Sequence, residues 1–298
     1  MTNRQTLRGP VVCAGVGLHT GQRVRMVMKP AAAGTGIVFA RVDLDVNDRV
    51  IPALFDSVRS TDLGTTLLND DGASVATVEH LMAALAGMGV DDVLIELDGP
   101  EVPAMDGSSA PFIELIDQAG LVTLPMVRRA IQVLKTVEVE QGGRKAAWIP
   151  ALRAAIDVEI DFADASIGHQ HFAFEVNPAV FSQMIAPART FGFRRDYDAL
   201  LKAGLARGAS LDNTVVVGER GVDNAGGLRF DDEFVRHKAL DALGDIYLAG
   251  MPILGLYRAY RPGHGFNNHA VHTLLADKSA WRVVALNDAE ALKLAMAR

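Results

Sequence analysis

The chain has 298 residues, 49% of them hydrophobic, and a formal net charge of −7. That charge argues against general nucleic-acid binding, and no apolar stretch approaches the ~20 uncharged residues of a membrane-spanning helix. The single cysteine, Cys13, rules out an internal disulfide, and the segment from Met1 to Leu7 lacks the apolar centre of a secretory signal, so the chain reads as a cytoplasmic protein long enough for two domains.

In chain order, the run from Val24 to Met28 reads as a strand. The segment from Thr77 to Gly87 reads as a helix, with Ser74 or Thr77 as N-cap and Gly87 or Gly89 as the stop. An apolar strand follows from Val93 to Leu97, then a loop carrying Pro100, Pro103 and Gly107, then a helix from Ala110 to Gln118. Further on, Tyr197 to Gly204 has a short helical pattern and Thr214 to Val217 an apolar strand. A helix over 233–249, a strand over 253–260, a loop with Pro262 and Gly263 and a helix from His269 to Leu275 then repeat the order of the first half. Two copies of one α+β unit let a site draw on both halves.

The chemistry gathers on the two longer helices and the second loop. His80 stands near the start of the first, with Glu79 beside it. On the second, His237, Asp241 and Asp245 recur every four residues, and at about 3.6 residues per turn they share one stripe beside the apolar Leu240, Leu243, Ile246 and Tyr247. His-x-x-x-Asp is metal-ligand spacing, although a His–Asp pair exchanging a hydrogen bond has the same pattern. Adding His80 completes three ligands from two distant segments, which suits a catalytic zinc with one position open for water. Glu79 is then placed as a general base; alone it also reads as a first-turn acid favoured by the helix dipole. His264, between Gly263 and Gly265, reads as a loop histidine, either an ordinary turn residue or, with Asp245 near it to raise its pKa, a protonated general acid. With one cysteine, any metal rests on histidine and carboxylate, the donor set of a hydrolytic rather than a structural zinc. Arg194, Arg195, Lys238 and Arg261 could supply a local anion site.

Five segments carry a resemblance: Gly15-Val16-Gly17-Leu18-His19-Thr20-Gly21, Thr77-Val78-Glu79-His80-Leu81, Met105-Asp106-Gly107-Ser108, Ala188-Arg189-Thr190-Phe191-Gly192-Phe193, and Asp232 through Asp241. In this order, from about Arg4 to about Trp281, the chain resembles the UDP-3-O-acyl-N-acetylglucosamine deacetylases, zinc amidases of lipid A biosynthesis in Gram-negative bacteria. The peptidase motif His-Glu-x-x-His is absent. The resemblance implies an α+β fold of two similarly folded domains, 1–126 and 127–298, with their helices packed together between outer sheets and one insertion in each. It implies Zn2+ on His80, His237 and Asp241 at the junction, Glu79 as base, the Thr190 hydroxyl on the oxyanion, and His264, supported by Asp245, as acid.

The substrate implied is a UDP-linked acylated glucosamine, with Lys238 a phosphate or sugar contact and Phe191 a sugar contact or plain packing. The insert at about 190–217 would enclose the acyl chain. Where relatives often have two glycines it carries Gly208-Ala209, so the methyl of Ala209 bears on the width of that passage. A monomer is expected, with no nucleic-acid partner and no transmembrane segment. His19 is left outside the site, and His169, His171, His269 and His272 read as structural or exposed. Two other readings stand beside this one: another metal-dependent amidohydrolase of small molecules, and a noncatalytic lipid-sugar binding protein.

Overall fold

The protein is described here by a computed structural model covering residues 2–45 and 49–286. Its helices are α1 (Glu79–Met88), α2 (Ala110–Ala119), a short α3 (Pro178–Val180), α4 (Tyr197–Lys202), α5 (Glu233–Tyr247) and α6 (His264–Ala276). The first half forms a five-stranded sheet in the order Val11–Val16, Arg23–Pro30, Val93–Leu97, Ile37–Arg41, Val50–Pro52. The second half forms a seven-stranded sheet around Ile253–Tyr260. In each, the strand that follows the long helix is central: Val93–Leu97 runs antiparallel to Arg23–Pro30 and parallel to Ile37–Arg41, while Ile253–Tyr260 runs antiparallel to Arg144–Ile149 and parallel to Ala154–Asp161. The repeat of helix, strand and helix expected from the sequence is thus a repeat of topology, and the fold is α+β.

Two small three-stranded sheets stand apart from these layers. One joins Val58–Ser60, Thr66–Leu68 and Ser74–Val75; the other joins Phe191–Phe193, Val215–Gly218 and Gly221–Val222. Both border the long helices, one just before α1 and one between α3 and α5.

α1 and α5 pack on each other between the sheets. α1 is buried almost all round: Glu79 through Leu85 are each at most 6% exposed, so it is a core helix rather than an amphipathic one. Ala83 and Ala84 on α1 and Gly244 on α5 permit a close crossing. A Cβ on Gly244 would collide with the main-chain oxygen of Glu79 and press on the nitrogen of Ala83. Glycine is required there by backbone-to-backbone contact, and the contact lies at Glu79 itself.

Several boundaries differ from the sequence reading. Neither Ser74 nor Thr77 caps α1: the N-cap is Val78, with no side-chain cap. Thr77 holds a left-handed φ of 56° and donates its hydroxyl to Glu101 Oε1 at 2.9 Å, so that group is spent away from the helix end. Gly89, at φ 76°, is the stop, as one of the two glycines proposed for it. α5 ends at Tyr247 rather than 249, followed by a turn through Gly250. α6 begins at His264, five residues before the expected start. Its N-cap is Gly263 in extended backbone, and Gly265, taken as loop, lies in the first turn. The strand anticipated from Thr214 runs Val215–Gly218, and α4 stops at Lys202.

Candidate metal centre and its acid–base pair

α1 and α5 bring His80, His237 and Asp241 together, with one donor atom of each within 4.8 Å of the others. Asp241 Oδ1 lies 3.4 Å from His237 Nε2 and 3.6 Å from His80 Nε2, and the two imidazoles meet edge to face at 4.8 Å. His237 Nδ1 sits 3.0 Å from the carbonyl of Ala188; since a carbonyl only accepts, Nδ1 carries the proton and the Nε2 lone pair points at the cluster. Burial pushes the His237 imidazole down to about 3, so it is neutral, as a ligand must be.

Asp241 is the informative member. It is 2% exposed, and Oδ2 accepts from Lys238 Nζ at 2.9 Å. Oδ1 has no hydrogen-bond partner among the described residues, although it is buried. Burial alone would raise this carboxyl, yet the facing His237 and then Lys238, which donates to Oδ2, hold it well below the usual carboxylate range. A buried ionised oxygen left unpaired costs free energy unless a cation completes it. The donor set, two imidazole nitrogens and a carboxylate oxygen converging on one point, fits a divalent metal ion.

Beside this cluster stand two groups that can move protons. Glu79, 2% exposed, accepts the Thr65 main-chain N–H on Oε2 at 3.0 Å, and its Oε1 is 3.9 Å from His264 Nε2. Burial pushes the Glu79 carboxyl above its ordinary value, with His264 and His80 opposing. His264 Nδ1 lies 3.0 Å from Asp245 Oδ2, as the sequence reading required. Burial disfavours the imidazolium, but Asp245 and then Glu79 more than offset it and raise His264 to about 9. The residue opens a helix rather than standing in a loop; α6 then carries Asn267 round to donate to Asp245 Oδ2 at 2.8 Å.

The other residues singled out from the sequence fall around this centre. Ala188 through Phe191 form its wall: Ala188 holds His237, and Phe191 meets His237 and Phe234 edge to face at 6.2 and 5.0 Å. Thr190 sits between them, half-buried, its N–H bonded to the Gly107 carbonyl at 2.8 Å. Gly107 has φ 82°, and a Cβ there would strike the Asn213 carbonyl, which ties the Met105–Ser108 motif to the second small sheet. Lys238 lies 5.5 Å above the Phe191 ring and is bonded to Asp241. Arg194 and Arg195 are likewise paired, with Asp223 and Asp164. Ala209 is half-buried in a turn; the tight position is Gly208, whose Cβ would meet the Gly17 carbonyl.

His19, set aside from the sequence, lies closer than expected. Its Nε2 is 3.1 Å from the Leu63 carbonyl, and both it and Glu79 Oε1 come within 4 Å of where a Gly64 Cβ would be. His169 and His171 are exposed and paired with Glu159 and Asp157, and His272 meets Phe55, none of them at the centre. Sequence reasoning missed Thr65, Asn267 and Glu101. Asn267 follows His264 by three residues, the helical spacing of side chains that share a face, but the expected start of α6 at His269 leaves both outside the helix. Glu101, 1% exposed, accepts from the main chain of His19 and Thr20 and from the hydroxyls of Thr20 and Thr77, and nothing local in the sequence marks it.

An α+β fold with a buried His-His-Asp group that could hold a metal ion, and a carboxylate and a carboxylate-backed histidine beside it, is the arrangement of a hydrolase. Residues 4–276 match the family model for UDP-3-O-acyl N-acetylglycosamine deacetylase, and the chain belongs to that family. Relatives of that name include the Vibrio parahaemolyticus protein, 45% identical over 284 residues covering 94% of this chain and 92% of the relative. The Pasteurella multocida protein is 42% identical over 294 residues, covering 98% and 96%. No helix among the described residues is long and apolar enough to cross a membrane.

Proposed function

We propose that this protein is a zinc-dependent deacetylase that removes acetate from UDP-3-O-(hydroxyacyl)-N-acetylglucosamine, in lipid A biosynthesis, and that it acts in the cytoplasm as a monomer. Its family and the names of its relatives supply the substrate. The observation that carries the chemistry is Asp241 Oδ1, buried between the Nε2 atoms of two histidines with no hydrogen-bond partner among the described residues. His80, His237 and Asp241 would hold the zinc; when bound it lowers the pKa of water and polarises a carbonyl.

The chain's own residues account for the proton movements. Glu79, a carboxylate raised by burial, takes the proton of the attacking water. The Thr190 hydroxyl, two residues after the Ala188 carbonyl that holds His237, hydrogen-bonds the oxyanion that forms. His264, protonated below about pH 9, faces Glu79 across 3.9 Å and delivers a proton to the departing glucosamine nitrogen. Asp245 keeps its charge and tautomer. Phe191 and Lys238 line the sugar side of this centre, and the segment from about 190 to 217, Ala209 included, receives the acyl chain.

The test is single substitution of the three ligands. His80→Ala, His237→Ala and Asp241→Ala should each lower zinc occupancy and turnover in a folded protein. Zinc content and acetate release near wild type in all three would remove the assignment.

A further inference from the structure

Thr65 occupies the seam between the groups just described. It is 1% exposed and makes three bonds. Its N–H donates to Glu79 Oε2 at 3.0 Å, its carbonyl accepts from the Val78 N–H at 3.3 Å, and its hydroxyl donates to Asp245 Oδ1 at 2.6 Å. The main chain thus grips the start of α1, while the side chain crosses to α5. Asp245 uses its other oxygen for His264 and Asn267. Followed round, the contacts close a ring: Glu79 to Thr65, Thr65 to Asp245, Asp245 to His264, and His264 Nε2 back to Glu79 Oε1 at 3.9 Å.

We infer that Thr65 is a positioning residue of the reaction, its hydroxyl fixing the Asp245–His264 pair relative to the Glu79 carboxylate. This rests on the reading of Glu79 and His264 as base and acid. Those two groups sit on different halves of the chain and must act on one amide, so their separation has to be held across the junction. A short hydroxyl-to-carboxylate bond is charge-assisted and directional. With Oδ1 committed to Thr65 and Oδ2 to His264 and Asn267, the Asp245 carboxylate has one orientation, and it passes that orientation to the imidazole. The surrounding loop does not depend on the hydroxyl: the Thr65 main chain is bonded at both its N–H and its carbonyl, and His19 reaches Leu63 two residues earlier. Removal of the hydroxyl therefore separates positioning from support of the loop.

Thr65→Val keeps the shape and both main-chain bonds and deletes only the O–H; Thr65→Ser keeps the O–H and deletes a methyl. In the zinc-loaded full-length enzyme, kcat, KM, zinc content and thermal unfolding are measured for both, alongside His264→Gln. Thr65→Val is expected to lower kcat by about 10–100-fold, the scale of a misplaced catalytic group, with KM and zinc content unchanged, and Thr65→Ser to recover most of the loss. Should Thr65→Val not fold, Thr65→Ala carries the same expectation. Wild-type kcat in the variant lacking the hydroxyl, or a folded, zinc-loaded Thr65→Ser as slow as Thr65→Val, overturns the inference. Full activity in His264→Gln would instead overturn the acid–base reading beneath it.

Discussion

Gly244→Ala tests how the fold builds the site. Two effects compete. Alanine gains about 1 kcal/mol of helix propensity over glycine, which would stabilise α5. Against this, the new methyl meets the Glu79 carbonyl and the Ala83 nitrogen, both main-chain atoms of a buried helix. Such atoms cannot rotate aside, so α1 and α5 must separate, and overpacking of this kind costs about 1–3 kcal/mol. The clash wins, by a net loss of up to ~2 kcal/mol, or several degrees in Tm. More telling is where the strain falls. The displaced atoms belong to Glu79 and to the turn that carries His80, so zinc affinity and kcat should drop by more than the loss of stability explains. Calorimetry, a competitive zinc titration and acetate release measured on one preparation would read all three. A Tm at or above wild type with unchanged zinc affinity would show that the helices tolerate a wider crossing and that Gly244 does not set the site.

Asp245→Asn removes the charge that raises His264 to about 9. With His264 acting as the proposed general acid, the active form holds that imidazole protonated, and wild-type activity should fall as pH rises through about 9. In the variant the fall should begin near or below the ordinary histidine value of ~6.5, leaving about a tenth of the imidazole charged at pH ~7.5. An alkaline limb unmoved in both Asp245→Asn and His264→Gln would assign the limb to another group. Shortening the acyl chain should lower kcat/KM by a few-fold per methylene, at about 0.8 kcal/mol each, until the passage is no longer filled. Ala209→Gly should favour longer or bulkier chains while zinc stays bound; a flat response to chain length in both proteins would count against the acyl passage. Glu101→Gln should loosen the loop that carries His19 and Thr20, because an amide cannot accept four hydrogen bonds as a carboxylate does. Faster amide exchange at His19 and Thr20 is the expected signal, and unchanged exchange would discount that role.

The parts of the site that sequence reveals are those whose spacing repeats a structural period. His237, Asp241 and Asp245 recur at four because α5 presents one face to the junction, and His80 is legible because it stands in the first turn of a helix with clear stop signals. The duplicated helix, strand and helix were legible for the same reason. What escaped is held by long-range contacts with no local period. Thr65 and Asp245 are 180 residues apart, and the segment from Leu63 to Thr65 has no periodic pattern to mark it. Glu101 follows a proline in a loop and owes its importance to Gly17 through Thr20, which fold back on it from the far end of the domain. The start of α6 was misjudged because glycines on both sides of His264 outweigh helix propensity locally. The tertiary contact of His264 with Asp245 supplies what the local sequence lacks.

In the proposed function, one zinc on His80, His237 and Asp241 supports hydrolysis of the acetamide. The most direct measurement is acetate release from UDP-3-O-(hydroxyacyl)-N-acetylglucosamine by chelated protein titrated back with zinc, with metal bound per chain determined at each point. Turnover should rise in proportion to zinc and level off at one equivalent in the wild-type protein, and Asp241→Ala should show neither tight binding nor recovery. Full turnover in metal-free protein, or recovery in Asp241→Ala at the same stoichiometry, would contradict it.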